Sequence, residues 1–553
     1  MRKGGIAPPF PYEQETPMRR LALCLALTLP ATGFAQDLSS LDGAALRALR
    51  PASEALVAAG RRYNPEAPIP PQCYTRIEGR FNPCYVCHQT NEDATRPNFM
   101  LDGGLQAEYA FSEAGLTNHH VNLFIDRSAE VAAISDAEIR DWIGQDNYSG
   151  LAPRLAAEGF GGWVPDLAGY AEGAAAFDAR GLALDGSWWV AFNYKPQPST
   201  FWPTNGSTDD VLIRLPAPFY TLSDGRPSED LYFANLALLE MAFQDLPEVT
   251  VPPLDEAAIG VDLDGDGTLG QAGRVLARAS YLGGAADKPV TRMLYPEGTE
   301  FLHSVRYVGV DPQGAITVAR RMKELRYMVK TRALSIPQIA SRYGNERQEK
   351  MDENLPRYLD LGDKGMDNGQ GWTLLAFIED ASGALRRQTN EELFFCRGCH
   401  ASVGANIDQT WAFPRKLTGA EGWGYIDLHV QRDVPNRGEA MGEIAQYLQR
   451  AGGGDEFRSN TEMRARWFTP AGQVDHAALA GKTVYELIAP SAERALMLNK
   501  AYRVLVAEQS FVFGRDATVT PPANVHAGID EATAPTLPPE YRYRHDIRLD
   551  WAR

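Results

Sequence analysis

Apolar positions recur with two periods along the 553-residue chain. Helical spacing runs from Leu41 to Ala59 and is interrupted at Pro51, which has no N–H to give a helix. Ser135 with Glu138 forms a capping box that opens a helix to Gly144. Ser228 caps a longer helix to Leu246. Its main stripe is Leu231, Ala234, Leu238, Met241 and Ala242, and Phe233, Leu236 and Phe243 make a second patch. A helix that is apolar on two sides belongs between layers. A basic helix is predicted over Ala319 to Arg332, and others over Glu439 to Arg450 and Ala492 to Glu508. Strand patterns cover Ser187 to Tyr194, Val211 to Leu215, Glu300 to Val310 and Trp372 to Glu379. Asp311-Pro312-Gln313-Gly314 turns the chain into a short returning strand, Ala315 to Val318. At the C-terminus Tyr541, Tyr543, His545, Ile547, Leu549 and Trp551 alternate with charged residues, the pattern of a half-buried strand. The mixture predicts an α+β fold, with helical, loop-rich ends around a strand-containing centre.

The N-terminus divides the chain further. Met18-Arg19-Arg20, the apolar run Leu21 to Pro30 and Gly33-Phe34-Ala35 have the form of a secretory signal peptide. Residues 1–35 therefore read as an upstream extension plus signal, with Met18 as the true start. Cys24 lies in the apolar run, but Leu23 precedes it where lipid attachment expects a small residue, so a lipoprotein is set aside. The remaining segments are 36–134, 135–385 and 386–553. No later stretch is long and apolar enough to span a membrane. The formal net charge is −17, and residues 1–35 carry four basic and two acidic groups, so export leaves a more acidic chain. That balance argues against nucleic acid and suits a basic partner protein.

Two pentapeptides carry the chemistry: Cys84-Tyr85-Val86-Cys87-His88 and Cys396-Arg397-Gly398-Cys399-His400. On a helical turn the two sulfurs share a face, and the histidine follows on that face. This is the attachment pattern of haem c, with His88 and His400 as proximal iron ligands. Asn82-Pro83 starts the first helix, and Thr389 with Glu392 starts the second. Each motif is followed at similar spacing by a histidine, His120 and His429, and these are the candidates for the distal places. His119, Met100 and His303 are their rivals. Cys73 reads as a small buried residue, with a thiolate ligand as the alternative. Asp262, Asp264, Asp266 and the Thr268 carbonyl match the first half of a calcium loop of the EF-hand type. Position twelve is Gly273, so one ligand has to come from elsewhere.

On the pentapeptides and the signal, the chain resembles the di-haem c-type cytochromes of bacterial periplasms. It departs from the di-haem peroxidases, because Arg80-Phe81-Asn82-Pro83 stands before the first motif and no L-F-F-D-x-x-L-S stretch lies upstream. The resemblance implies two covalently bound haem c groups, thioether attachment through Cys84, Cys87, Cys396 and Cys399, and electron transfer in the periplasm. Three readings follow: a pure carrier, a di-haem oxidoreductase with a small-molecule substrate, and a redox-sensing ligand-binding protein. A redox partner protein is expected, and neither a nucleic acid nor a membrane span is.

Overall fold

A computed structural model of the chain describes residues 64, 67–89, 96–97, 113–198, 205–352, 354, 358–452, 460–529, 534–544 and 546–553. The signal segment, Cys24, the helix expected from Leu41 to Ala59, Met100 and His545 lie outside them.

The fold is α+β. Its centre is an antiparallel sheet built on three long strands that pair in succession. We number the strands β1 (Val190–Ala191), β2 (Thr208–Arg214), β3 (Glu248–Asp255), β4 (Gln271–Leu276), β5 (Glu300–Val310), β6 (Ile316–Lys330), β7 (Leu359–Asp360), β8 (Met366–Asp367), β9 (Trp372–Glu379) and β10 (Leu385–Arg387). The order across the sheet is β1-β2-β5-β6-β9-β8-β7, and β10 shares the outer edge of β9 with β8. β3 and β4 form a separate two-stranded ribbon.

The sheet is covered on both faces. Ile213, Phe301, Met328 and Leu374 face the helix Glu229–Gln244, which is buried along nearly its whole length, as its two apolar patches predict. Leu212, Leu302, Leu325 and Leu375 face the opposite way, onto Tyr148, Tyr170 and Trp189. At the far end the helices Ala492–Glu508 and Asp136–Gly144 close over Tyr307 and Ile378. Residues 39–553 form one compact unit.

Two expected elements are corrected. The basic helix over Ala319 to Arg332 is instead most of β6. Its charged residues suggest a solvated helix face, but in the strand Arg321, Lys323, Glu324 and Lys330 are buried, and Arg326 half-buried. Arg321 bonds Glu379 at 2.9 Å, Lys330 pairs with Asp408, and Glu324 receives Arg326 and Arg515 at 3.0 and 2.9 Å. The C-terminal strand is also absent among the described residues. A 3₁₀ turn, Pro539–Tyr541, is followed by irregular chain with a single bridge from Leu549 to Asn436. There Arg548 is buried beside Ile547 and Leu549, because its guanidinium bonds Asp245 at 2.6 Å and Asp546 at 2.6 Å. A paired charge thus takes a position that the alternating pattern assigns to solvent.

The segment bearing the first pentapeptide is held by the end of the chain. Thr75 bridges to Val525, and Asn82 to Thr536. Arg76 N donates to Asn524 O at 2.7 Å, and His526 N to Tyr74 O at 2.7 Å. No helix among the described residues is long and apolar enough to cross a membrane.

Arg306 on β5 is 0% exposed and faces Asp210, itself bonded by Ser304 Oγ at 2.7 Å. Its guanidinium also donates to the carbonyls of Tyr170 at 2.6 Å and Ala171 at 3.1 Å. Replacing it (Arg306→Met) strands a buried carboxylate. The expected loss is about 3–5 kcal/mol of unfolding free energy in urea titration.

Candidate functional site

One face of the sheet is also the floor of a cavity. In register across four strands, Val211, His303, Arg326 and Ala376 lie side by side, and all four line it. The neighbouring row contributes Asp209, Val305 and Glu324. The cavity measures about 330 Å³. Cys84, Cys87, His88, Cys396, Cys399 and His400 all line it. Two motifs 312 positions apart in sequence therefore meet at one place.

Each motif sits where local signals direct it. The first is a single helical turn, Cys84–Cys87, with Asn82 Oδ1 accepting from Cys84 N at 3.1 Å. The second ends the helix Asn390–Cys399, which is opened by the Thr389–Glu392 capping box, and His400 is its C-cap residue. The two loops touch through backbone. Ala405 N donates to Cys87 O at 3.1 Å. A Cβ on Gly404 would lie 2.1 Å from Gln89 O, and one on Gly398 would lie 1.6 Å from Pro68 O. Both close approaches require glycine.

The imidazoles are differently prepared. His400 Nδ1 lies 2.7 Å from Gln409 O. A carbonyl only accepts, so Nδ1 carries the proton and Nε2 keeps a lone pair. His88 Nδ1 is buried with no hydrogen-bond partner among the described residues. Burial holds both rings neutral, pushing His88 down to about 3 and His400 to about 4. Burial also pushes the Cys84 thiol up to about 12 and Cys399 to about 11. No described cysteine is in a disulfide, and Cys73 joins the cavity lining.

The expected distal histidines separate. His120 is 1% exposed and lines the cavity, with Nε2 3.1 Å from Ile69 O. Its ring packs edge-on against Phe395, at 5.3 Å, so it sits beside the second motif's helix. His429 is not brought to the cavity. It is exposed and stacks on Tyr485 at 3.7 Å. The rival His303 does reach the cavity, with Nε2 3.5 Å from Asp209 Oδ2.

Sequence reasoning missed the helix Ile336–Met351 and what it contributes. Tyr343, Glu346 and Lys350 fall at spacings of three and four, on one helical face. Glu346 is 4% exposed. Its carboxylate pairs with Arg397, inside the second motif, and accepts from Ser402 N at 2.9 Å. Burial alone would raise this carboxyl; Arg397 and Lys350 outweigh it and hold the group down to about 2. Lys350 and Glu346 are also the charges that His88 feels. The signal for this helix is a capping box, Ser335 with Gln338, followed by a polar run.

The acidic loop gathers a different set from the one expected. Glu256, Asp262 and Asp264 bring ligand atoms within 4.8 Å of one another. Asp266 is not in this group, and its Oδ1 accepts from Thr268 N at 2.7 Å.

A lipoprotein family model matches residues 57–480, well over half of the chain. The chain belongs to this lipoprotein family. It is also similar to an uncharacterized lipoprotein of Aquifex aeolicus (strain VF5). The two are 31% identical over 562 positions, covering 90% of this chain and 93% of the relative. No solved structure matches. Membership places the protein among exported proteins of the cell envelope. It overturns the resemblance to di-haem cytochromes, and with it the carrier, oxidoreductase and redox-sensor readings. It also overturns the setting aside of a lipoprotein at Leu23-Cys24. Short motifs carried that resemblance, whereas the family match runs through most of the folded chain.

The contact between the two motif loops can be tested. Gly404→Ala should cost about 1–3 kcal/mol by overpacking against Gln89 O, seen as a lower midpoint in thermal melts. Amide exchange should rise in both loops together.

Proposed function

We propose that this lipoprotein is an envelope binding protein that holds two haem groups covalently in a shared internal cavity, on the periplasmic side. One observation carries the reading: both thiol pairs and both following imidazoles line the same cavity. The donor set fits the group. Each S–H adds across one vinyl group, so the bond forms without an oxidant and no atom is lost. Cys84 with Cys87 would hold one group, and Cys396 with Cys399 the other. His88 and His400 would be the proximal ligands, with neutral rings suited to iron. His120 and His303 line the same cavity and would be the further imidazoles able to hold the iron. Haem supplies an iron centre whose properties are set by its axial ligands and by the burial around it. The apolar floor supplied by Phe301, Val305, Met328 and Leu374 suits a flat apolar ring.

Intact-mass measurement of the exported protein should show two haem adducts per chain. Cys84→Ser with Cys87→Ser should leave one, and adding Cys396→Ser with Cys399→Ser should leave none. A wild-type chain without adducts removes the reading.

The acidic loop supports a structural calcium ion in addition. The specific observation is Glu256, a 1%-exposed carboxylate that stands in for the ligand missing at Gly273. Calcium at a hundred times its dissociation constant should add about 2.7 kcal/mol to stability. The melting temperature should fall on chelation and become insensitive to calcium in Glu256→Gln. A melt unchanged by chelator rules the ion out.

A further inference from the structure

Seven described residues other than glycine have positive φ, and two of them are consecutive: Asp408 at 49° and Gln409 at 60°. They form the centre of a two-residue turn closed by reciprocal bonds between Ile407 and Thr410, each 3.0 Å. Such a turn takes Asn-Gly readily, because glycine has no Cβ to clash and asparagine tolerates the left-handed region. Asp408 suits the first place as asparagine would, so the strain sits at Gln409, where a side chain stands in the glycine position and persists only if the surroundings hold it.

The surroundings do so from three sides. Lys330, at the end of β6, is 1% exposed and pairs with the Asp408 carboxylate. Tyr295 N donates to the same carboxylate at 3.0 Å, and Tyr295 Oη lies 2.8 Å from Thr410 Oγ1. Gln409 Nε2 reaches Tyr343 Oη at 3.4 Å. What the strained turn presents is the Gln409 carbonyl, the acceptor for His400 Nδ1.

We propose that the Asp408–Gln409 turn is a positioning element for His400. Lys330 clamps it in the left-handed conformation, and the clamped carbonyl fixes one tautomer of the imidazole, with the Nε2 lone pair left for a ligand in the cavity. The tautomer argument stands on the chain alone. Only the nature of what His400 binds rests on the haem reading.

The test is ¹⁵N labelling of histidine in the full chain, with Cys84, Cys87, Cys396 and Cys399 changed to Ser as the background of wild type and every variant so that no group is tethered beside His400, read by imidazole nitrogen shifts. Wild type should show His400 as a single tautomer protonated at Nδ1. Lys330→Met should lose the single-tautomer pattern. Asp408→Asn keeps shape and tolerates positive φ but removes the charge, and it should lose the pattern in part, which covers a Lys330 variant that does not fold. Gln409→Gly keeps both carbonyl and φ, so the tautomer should be retained and the melting temperature should not fall. A wild-type ring protonated at Nε2, or variants that lower stability while the tautomer stays as in wild type, would overturn the assignment. So would loss of the tautomer in Gln409→Gly. Adduct counting by mass depends on the thiols rather than on this turn, so it separates failure of the haem reading from failure of this one.

Discussion

The structure depends on the pairing of charges inside a central strand. β6 carries Arg321, Lys323, Glu324, Arg326 and Lys330 into the interior, and an unpaired ion there would cost several kcal/mol. Arg326 pairs with Glu324 within the strand, and the others are met from other elements. Glu379 on β9 receives Arg321. Lys323 Nζ donates to Ser207 Oγ at 3.0 Å and to the Gly206 carbonyl. Arg515, beyond the C-terminal end of the helix Ala492–Glu508, joins Arg326 on Glu324, and Asp408 receives Lys330. The strand thus acts as a hub. Elements from widely separated parts of the sequence are fixed in position because they bring the countercharges.

Those countercharges also build the cavity. The same side of the sheet that presents Arg326 and Glu324 carries His303 and Val305. The elements that neutralise the strand are the ones that deliver the second pentapeptide and the turn behind His400. The helix Ile336–Met351 works similarly, with Glu346 drawing Arg397 and Ser402 to a fixed place around the motif. Electrostatics inside the fold and geometry at the site are therefore one arrangement described at two scales.

Local signals were the legible part of the sequence. Glu300–Val310, Trp372–Glu379 and Ala492–Glu508 end at the predicted residues, and the capping boxes at Ser135, Thr389 and the cap at Ser228 open the predicted helices. What failed needed knowledge of partners. Ala319 to Arg332 reads as a helix only if its charges face water, and their partners lie up to 191 positions away. His429 repeats the spacing of His120 but not its surroundings, since spacing does not say which face of the fold a loop reaches. Nor could the two pentapeptides be known to share a cavity, because the glycine contacts that join them are long-range. Family membership was the least legible property, since a short motif says nothing about the several hundred residues around it.

The bridges from Thr75 to Val525 and from Asn82 to Thr536 have a consequence for the order of events in folding. The first thiol pair is seated by chain made much later, with one bond spanning 452 positions. Loop-closure entropy and high contact order slow such a step. Until residues 525–536 have docked, Cys84 and Cys87 lack the seat that the folded protein gives them. The second thiol pair, on a helix that follows directly from β10, has its local frame earlier. The helix of the second pair is likewise held from beyond residue 508, where Arg515 donates to Glu392 O, so both ends of the cavity depend on chain far along the sequence.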